Sequence, residues 1–514
     1  MCVMKKIILC FVLSIVLLAG CSCSRDLVPD SVLEGLHKPV ITRLNPAAVQ
    51  FNDAGFHLDV WLPAVDDQYV LYINDRKVGQ CRSGYWRNSV GYMIPKELLN
   101  ELLGSSATGA TLSVRVTGIG EEYDISGDFE KYRDYVSEPV LLEVQKGQTR
   151  FTAARLLFPE WTHSSEPLVR CDPQGRIHLS WLEALNDVNQ AFFSFSADSG
   201  ETWSQVLNIS RSSTSVHQVD LAADGAGHFY MTWMAYNSQY HPEVFFSRSV
   251  DNGATWHLPV RMHPQGTDAE SSTLAVNERG DVYLARMQAN GPGGLEVRLA
   301  VSRDLGATWN TRIFPVADLL HNWKPLLATR AGGRVELFLA RRVGEELLLD
   351  IHSSRDYGIT WQAKTVSAGD CISFSENSLV RLGDGEQAYL SWGAVSTIGH
   401  SFSLWEYILQ RDSSGIWGRV QEMHKLCPMA GTKAAIVPVG RSVDAVLDHS
   451  GCLYLLRSVD EGRSWSLIET VAGSDGGYVI HSPDAVRLPT GKTCLAFIRK
   501  TGSGGDSLYL MQFE

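Results

Sequence analysis

Acidic and imidazole side chains stand at the start of one apolar run after another in this 514-residue chain. Glu166, His217, Glu270, His321 with Lys324, Glu376, Lys433, and His481 with Asp484 recur about once every fifty residues. If those runs are the innermost strands of successive sheets, their side chains converge on one funnel. Carboxylates and imidazoles gathered there can move protons, hold a polar ligand or stay hydrated. A pair of glycosidase carboxylates must lie roughly 5 to 10 Å apart, a distance that sequence spacing does not supply. Asp187, in the loop after the second apolar run of its unit, is a further candidate acid. No Cys-x-x-Cys or His-x-x-x-His pair is present, so neither a metal site nor a cofactor is read from the chain.

The elements that must position these groups announce themselves by repetition. The phrase Ser-x-Asp-x-Gly-x-Thr-Trp runs from Ser196 to Trp203, Ser249 to Trp256, Ser302 to Trp309 and Ser354 to Trp361. It returns from Ser458 to Trp465 with Ser464 for Thr, and a degenerate copy spans Arg411 to Trp417. Its aspartates are Asp198, Asp251, Asp304, Asp356, Asp412 and Asp460. Asp and Ser side chains bond backbone amides a few residues on, Gly supplies a left-handed backbone, and the Trp ring packs between sheets. These aspartates are therefore read as structural. A strand-rich period near fifty means a propeller or a β-array.

The repeated phrase is the Asp-box, and residues 151–514 resemble the sialidase-like propellers that carry it. The resemblance implies an all-β ring with the box on the face away from the ligand site. Seven units can be counted, with six as the alternative because the family's sialidases have six blades. The seventh, from Ala485 to Phe513, lacks a box and a fourth strand, which the segment near Thr152 to Phe158 can supply. The family's first inner strand opens with Arg-Ile-Pro, whose arginine grips a carboxylate. Here the stretch reads His163-Ser164-Ser165-Glu166-Pro167-Leu168-Val169. The arginine is missing and Glu166 repels a carboxylate. Asp187 stands where the family places its aspartate, while no phrase matches the nucleophilic Tyr and its Glu partner. Arg286, Arg341 and Arg499 end second strands and read either as inward-pointing or as salt-bridged rim groups.

Residues 1–20 have the form of a leader: Lys5 and Lys6, an apolar run from Ile7 to Leu18, then Leu18-Ala19-Gly20-Cys21. That ending resembles a bacterial lipobox, which implies cleavage before Cys21, lipid on its sulfur and a membrane anchor. Ser22 by the same resemblance favours the outer membrane. Residues 21–37 form a tether. Residues 38–146 show short alternating strands and resemble an IPT/TIG immunoglobulin-like sandwich through Lys38 to Pro46, Tyr72-Ile73-Asn74-Asp75 and Met93 to Leu99. The net charge of −12, without a basic cluster, argues against nucleic acid as a partner. Cys452 and Cys494 sit in apolar strand phrases and read as core thiols before a disulfide.

The expected fold is an Ig-like β-sandwich followed by a sialidase-like propeller. Three functions stay open: a tethered module recognising a glycan or protein without hydrolysis, a divergent exo-α-sialidase or other glycoside hydrolase, and a structural or assembly lipoprotein.

Overall fold

A computed structural model describes residues 41–514 apart from internal stretches, of which 120–135 and 423–433 are the longest. The leader, the tether and Cys21 lie outside the described residues, as do His321, Asp412 and Lys433 and the side chain of Glu376. Among the described residues no helix is long and apolar enough to cross a membrane.

The chain divides into two compact units. The first takes in residues 41–44 with Asp59–Tyr92 and Thr111–Leu142. Its strand Gln68–Ile73 pairs antiparallel with Arg76–Arg82 on one side and with Gly109–Ile119 on the other. Asn74 and Asp75 close the hairpin with φ of 49° and 61°, the doubly left-handed turn that short polar residues tolerate. Val70 to Ile73 are all buried to within 1%, and Val114 and Val116 alternate as fully buried residues of Gly109–Ile119.

The second unit takes in Asn45–Leu58, Met93–Ala110 and Glu143–Glu514. Among its described residues it holds one short helix, Lys96–Leu103, opening after Pro95 where a missing amide costs nothing. From residue 155 on its strands pair antiparallel with one another, while Glu469–Ala472 also pairs in parallel with Ala48–Phe51 through Gln50 and Glu469. Sheet one is built of Ser164–Cys171, Ile177–Leu185, Val188–Ser196 and Leu207–Asn208, in that order. Four-strand sets of the same order begin at Val216, Ala269, Leu326, Ser373 and Ala434, and are here called sheets two to six. Sheet seven has Tyr478–Arg487, Thr493–Thr501 and Asp506–Phe513, and its fourth strand is Arg155–Leu156 from the far end of the unit. Tyr509 pairs with Leu156 and Leu510 with Arg155.

The apolar clusters lie between consecutive sheets. Trp181 and Phe192 of sheet one join Ile498 and Leu508 of sheet seven. Phe193 of sheet one joins Trp233 of sheet two, and Phe246 of sheet two joins Leu284 of sheet three. Leu299 of sheet three meets Leu337 of sheet four, and Val446 of sheet six meets Phe497 of sheet seven. Each sheet packs on the next and the last on the first, the closed arrangement of a β-propeller that leaves no unpaired edge at the seam.

The repeated turns fasten this packing. In sheet three, Ser302 Oγ donates to Asp304 Oδ1 at 2.7 Å and accepts from Gly306 N at 2.7 Å. Thr308 donates its amide to Asp304 Oδ1 at 2.8 Å and its hydroxyl to Oδ2 at 2.6 Å. The same bonds recur around Asp198, Asp251, Asp356 and Asp460. Gly306 has φ of 83°, and a Cβ there would lie 2.7 Å from the Phe246 ring of the preceding sheet. The closing Trp does the complementary work: Trp256 meets Phe193 edge-on at 5.0 Å, and Trp309 meets Phe246 at 5.0 Å. Cys452 and Cys494 are both fully buried.

Candidate functional site

The first strand of a sheet and the hairpin between its second and third strands meet at one end of the sheet. The Asp-bearing turns, which follow the third strands, lie at the other. At the first end the inner strands break register at equivalent points: between Ser165 and Leu168, His217 and Asp220, Glu270 and Ser272, Phe374 and Ser378, and His481 and Asp484. In four of these bulges the residue after the last paired one is left-handed: Glu166 at 47°, Gln218 at 52°, Ser271 at 50° and Ser482 at 55°. Such a conformation costs a side chain about 1–3 kcal/mol and persists where the surroundings impose it. A bulge re-aims the side chains beside it.

The sequence candidates fall at this feature. Glu166 is itself a left-handed bulge residue and is exposed, while His217, Glu270 and His481 each precede one and are half-buried. Glu376 lies within the bulge of sheet five. Lys324, half-buried, precedes the first strand of sheet four. Asp484 is buried in the wall: its Oδ2 accepts from the Val169 amide and from Arg170 Nη1, both at 2.8 Å. Arg170 also approaches Asp220 at 3.6 Å, and Asp220 Oδ2 accepts from Thr273 Oγ1 and Leu274 N. This polar chain ties sheet seven to one, one to two, and two to three.

Asp187 occupies the tip of the first hairpin, exposed, with φ of 62° beside Asn186 at 51°. A two-residue turn with both φ positive selects Asn and Asp on conformational grounds alone, and that accounts for the pair. The mouth of sheet one is acidic beyond Glu166. Buried Glu183 accepts from His163 N at 2.7 Å and from Ser164 Oγ at 2.5 Å. At sheet two, Tyr236 packs edge-on to His217 with ring centres 5.8 Å apart, and Tyr240 is 87% exposed. His241 Nδ1 lies 2.9 Å from Asp268 Oδ1 near Glu270.

Glu183, Asp220 and the two tyrosines were not singled out from sequence, nor was Arg170 as their link. The readable signal for the bulges was proline: Pro167 and Pro483 directly follow left-handed residues, in positions where a strand has no amide to offer. Among the described residues no three His, Cys, Asp or Glu gather closely enough to hold a metal ion.

Arg341 is ion-paired with Asp350 at 2.6 Å, Arg499 lies over the Tyr509 ring at 5.7 Å, and Arg286 makes no ion pair among the described residues. Beside the fourth strand of sheet seven, a groove of about 630 Å³ runs past Arg155, Phe158, Trp161 and Trp203.

No family model matches the chain, and no curated protein matches it. Solved structures resemble it in fold. A Dyadobacter fermentans protein of unknown function is 15% identical, with 71% of this chain and 99% of that one covered and a TM-score of 0.45. A Penicillium chrysogenum α-L-arabinanase is 15% identical over 57% and 92%, with a TM-score of 0.41. The NanB sialidase of Streptococcus pneumoniae is 12% identical over 89% and 83%, with a TM-score of 0.42. The chemistry therefore rests on this chain's own residues.

Proposed function

We propose that the protein is a seven-bladed, sialidase-like propeller that recognises a glycan or protein ligand at its bulged end without hydrolysing it. In this reading, residues 38–146 are an Ig-like spacer and lipid on Cys21 tethers the whole to the outer membrane. The observation that carries it is the mouth of sheet one, where Glu166 is presented in a strained bulge of the strand whose start pairs with buried Glu183. Arg170, farther along the same strand, is already held by Asp484 and Asp220. A carboxylated sugar needs a free guanidinium fork, and this mouth offers anions instead. Tyr236 and Tyr240 supply apolar faces with polar tips, which suit the faces of neutral sugars or a peptide.

A fluorogenic sialoside incubated with the purified 25–514 fragment tests the non-hydrolytic part. Turnover indistinguishable from buffer is expected. Turnover that Asp187→Asn abolishes would establish a divergent sialidase.

A further inference from the structure

The residue four places beyond the partner of the first turn serine holds the same position in each second strand. In sheets one, two, four, six and, by pairing of Thr493 with Phe513, seven, it is Trp181, Trp233, Leu339, Leu447 and Phe497. All five are buried to within 1%. In sheet three the position is Arg286, and it too is buried, at 3% exposure. Alternation places Arg286 on the face that carries Val282 and Leu284, which pack on Phe246 and Tyr230 of sheet two.

The guanidinium is poorly satisfied there. Nη2 donates to Gln288 Oε1 at 3.2 Å, while Nε and Nη1 are buried and find no acceptor among the described residues. The carboxylates around it are committed elsewhere, Glu296 to Arg298 at 2.5 Å and Glu243 to Arg261 at 3.1 Å. Buried His263 accepts from Val244 N through Nε2 and approaches the Pro264 carbonyl through Nδ1, so it is neutral and offers neither charge nor acceptor. Burial, and then Arg298, push the Arg286 pKa down to about 10, which still leaves it protonated at neutral pH. Arg286 thus buries a positive charge with no carboxylate of its own, since Glu296, near enough to be felt, is held by Arg298, and burial of an ion without its own partner is costly.

We infer that Arg286 anchors a small inorganic anion of the chloride class between sheets two and three. Nε and Nη1, the two nitrogens left without acceptors, share no two-pronged edge of the guanidinium, so single-point contacts there suit a halide better than a carboxylate. The site lies in the wall between sheets and is independent of the ligand proposed for the bulged end.

The purified protein should melt about 2–4 °C higher in sodium chloride than in sodium gluconate of equal ionic strength. In Arg286→Leu, which copies sheet four, the difference should vanish. Crystals grown in bromide should carry an anomalous peak in contact with Nε or Nη1, and this decides the matter if the variant does not fold. An equal chloride response in the variant, no difference in the native protein, or a water without anomalous signal at Arg286 overturns the site.

Discussion

At the scale of the residue, aspartates and glutamates divide the labour by the ends they occupy. Asp198 and Asp356 are held down to about 2, first by the hydroxyls of Thr202 and Thr360 and then by the amides of the same residues. A carboxyl lowered from 3.8 contributes stability that is present above pH 4 and lost as pH falls through about 2. Acid unfolding followed by circular dichroism should therefore steepen within that window. Asp304→Ala should lower the melting temperature by a few degrees and leave ligand retention by the folded protein unchanged. Loss of retention without a change in melting would place this turn at the ligand end. These aspartates were legible in sequence because their chemistry is local, acting over four residues. Arg286 reads from sequence as a strand-end arginine, whereas it lies inside Val282–Gly291 with Ser272 and Arg298 beside it, and its burial depends on a neighbouring sheet.

At the scale of the element, the strand carries the information that the sequence concealed. Apolar alternation marked the inner strands, and Glu166, His217, Glu270 and His481 were found at their starts. The bulges themselves arise from pairing between strands, which no single strand records except through Pro167 and Pro483. Asp484 illustrates the limit: its place at a strand start was readable, while its bonds to Val169 and Arg170 depend on closure of a ring more than three hundred residues long. Trp256→Ala should cost about 3–5 kcal/mol, measured by denaturant titration, because it empties the contact with Phe193. Deleting residues 507–514 strips the third strand of sheet seven and leaves Arg155–Leu156 without a partner. That truncated chain should be cut rapidly by protease, and a melt like that of the intact protein would contradict closure at this seam.

At the scale of the whole molecule, a closed ring presents a mouth of carboxylates and tyrosines, and a lipid tether is proposed at Cys21. Cys21→Ser should remain unprocessed and lose labelling by a fatty-acid probe, and persistent labelling would remove the anchor. The central claim is recognition at the bulged end. Its most direct measurement is a glycan and peptide array probed with the 25–514 fragment beside the double variant Glu166→Gln, Glu270→Gln. Glutamine already occupies the left-handed bulge position at Gln218, so the variant should keep the fold. Retention of a neutral glycan or a peptide by the native fragment, at least tenfold weaker in the variant, is the predicted result. No retention on any spot, or equal retention by both proteins, would contradict the account.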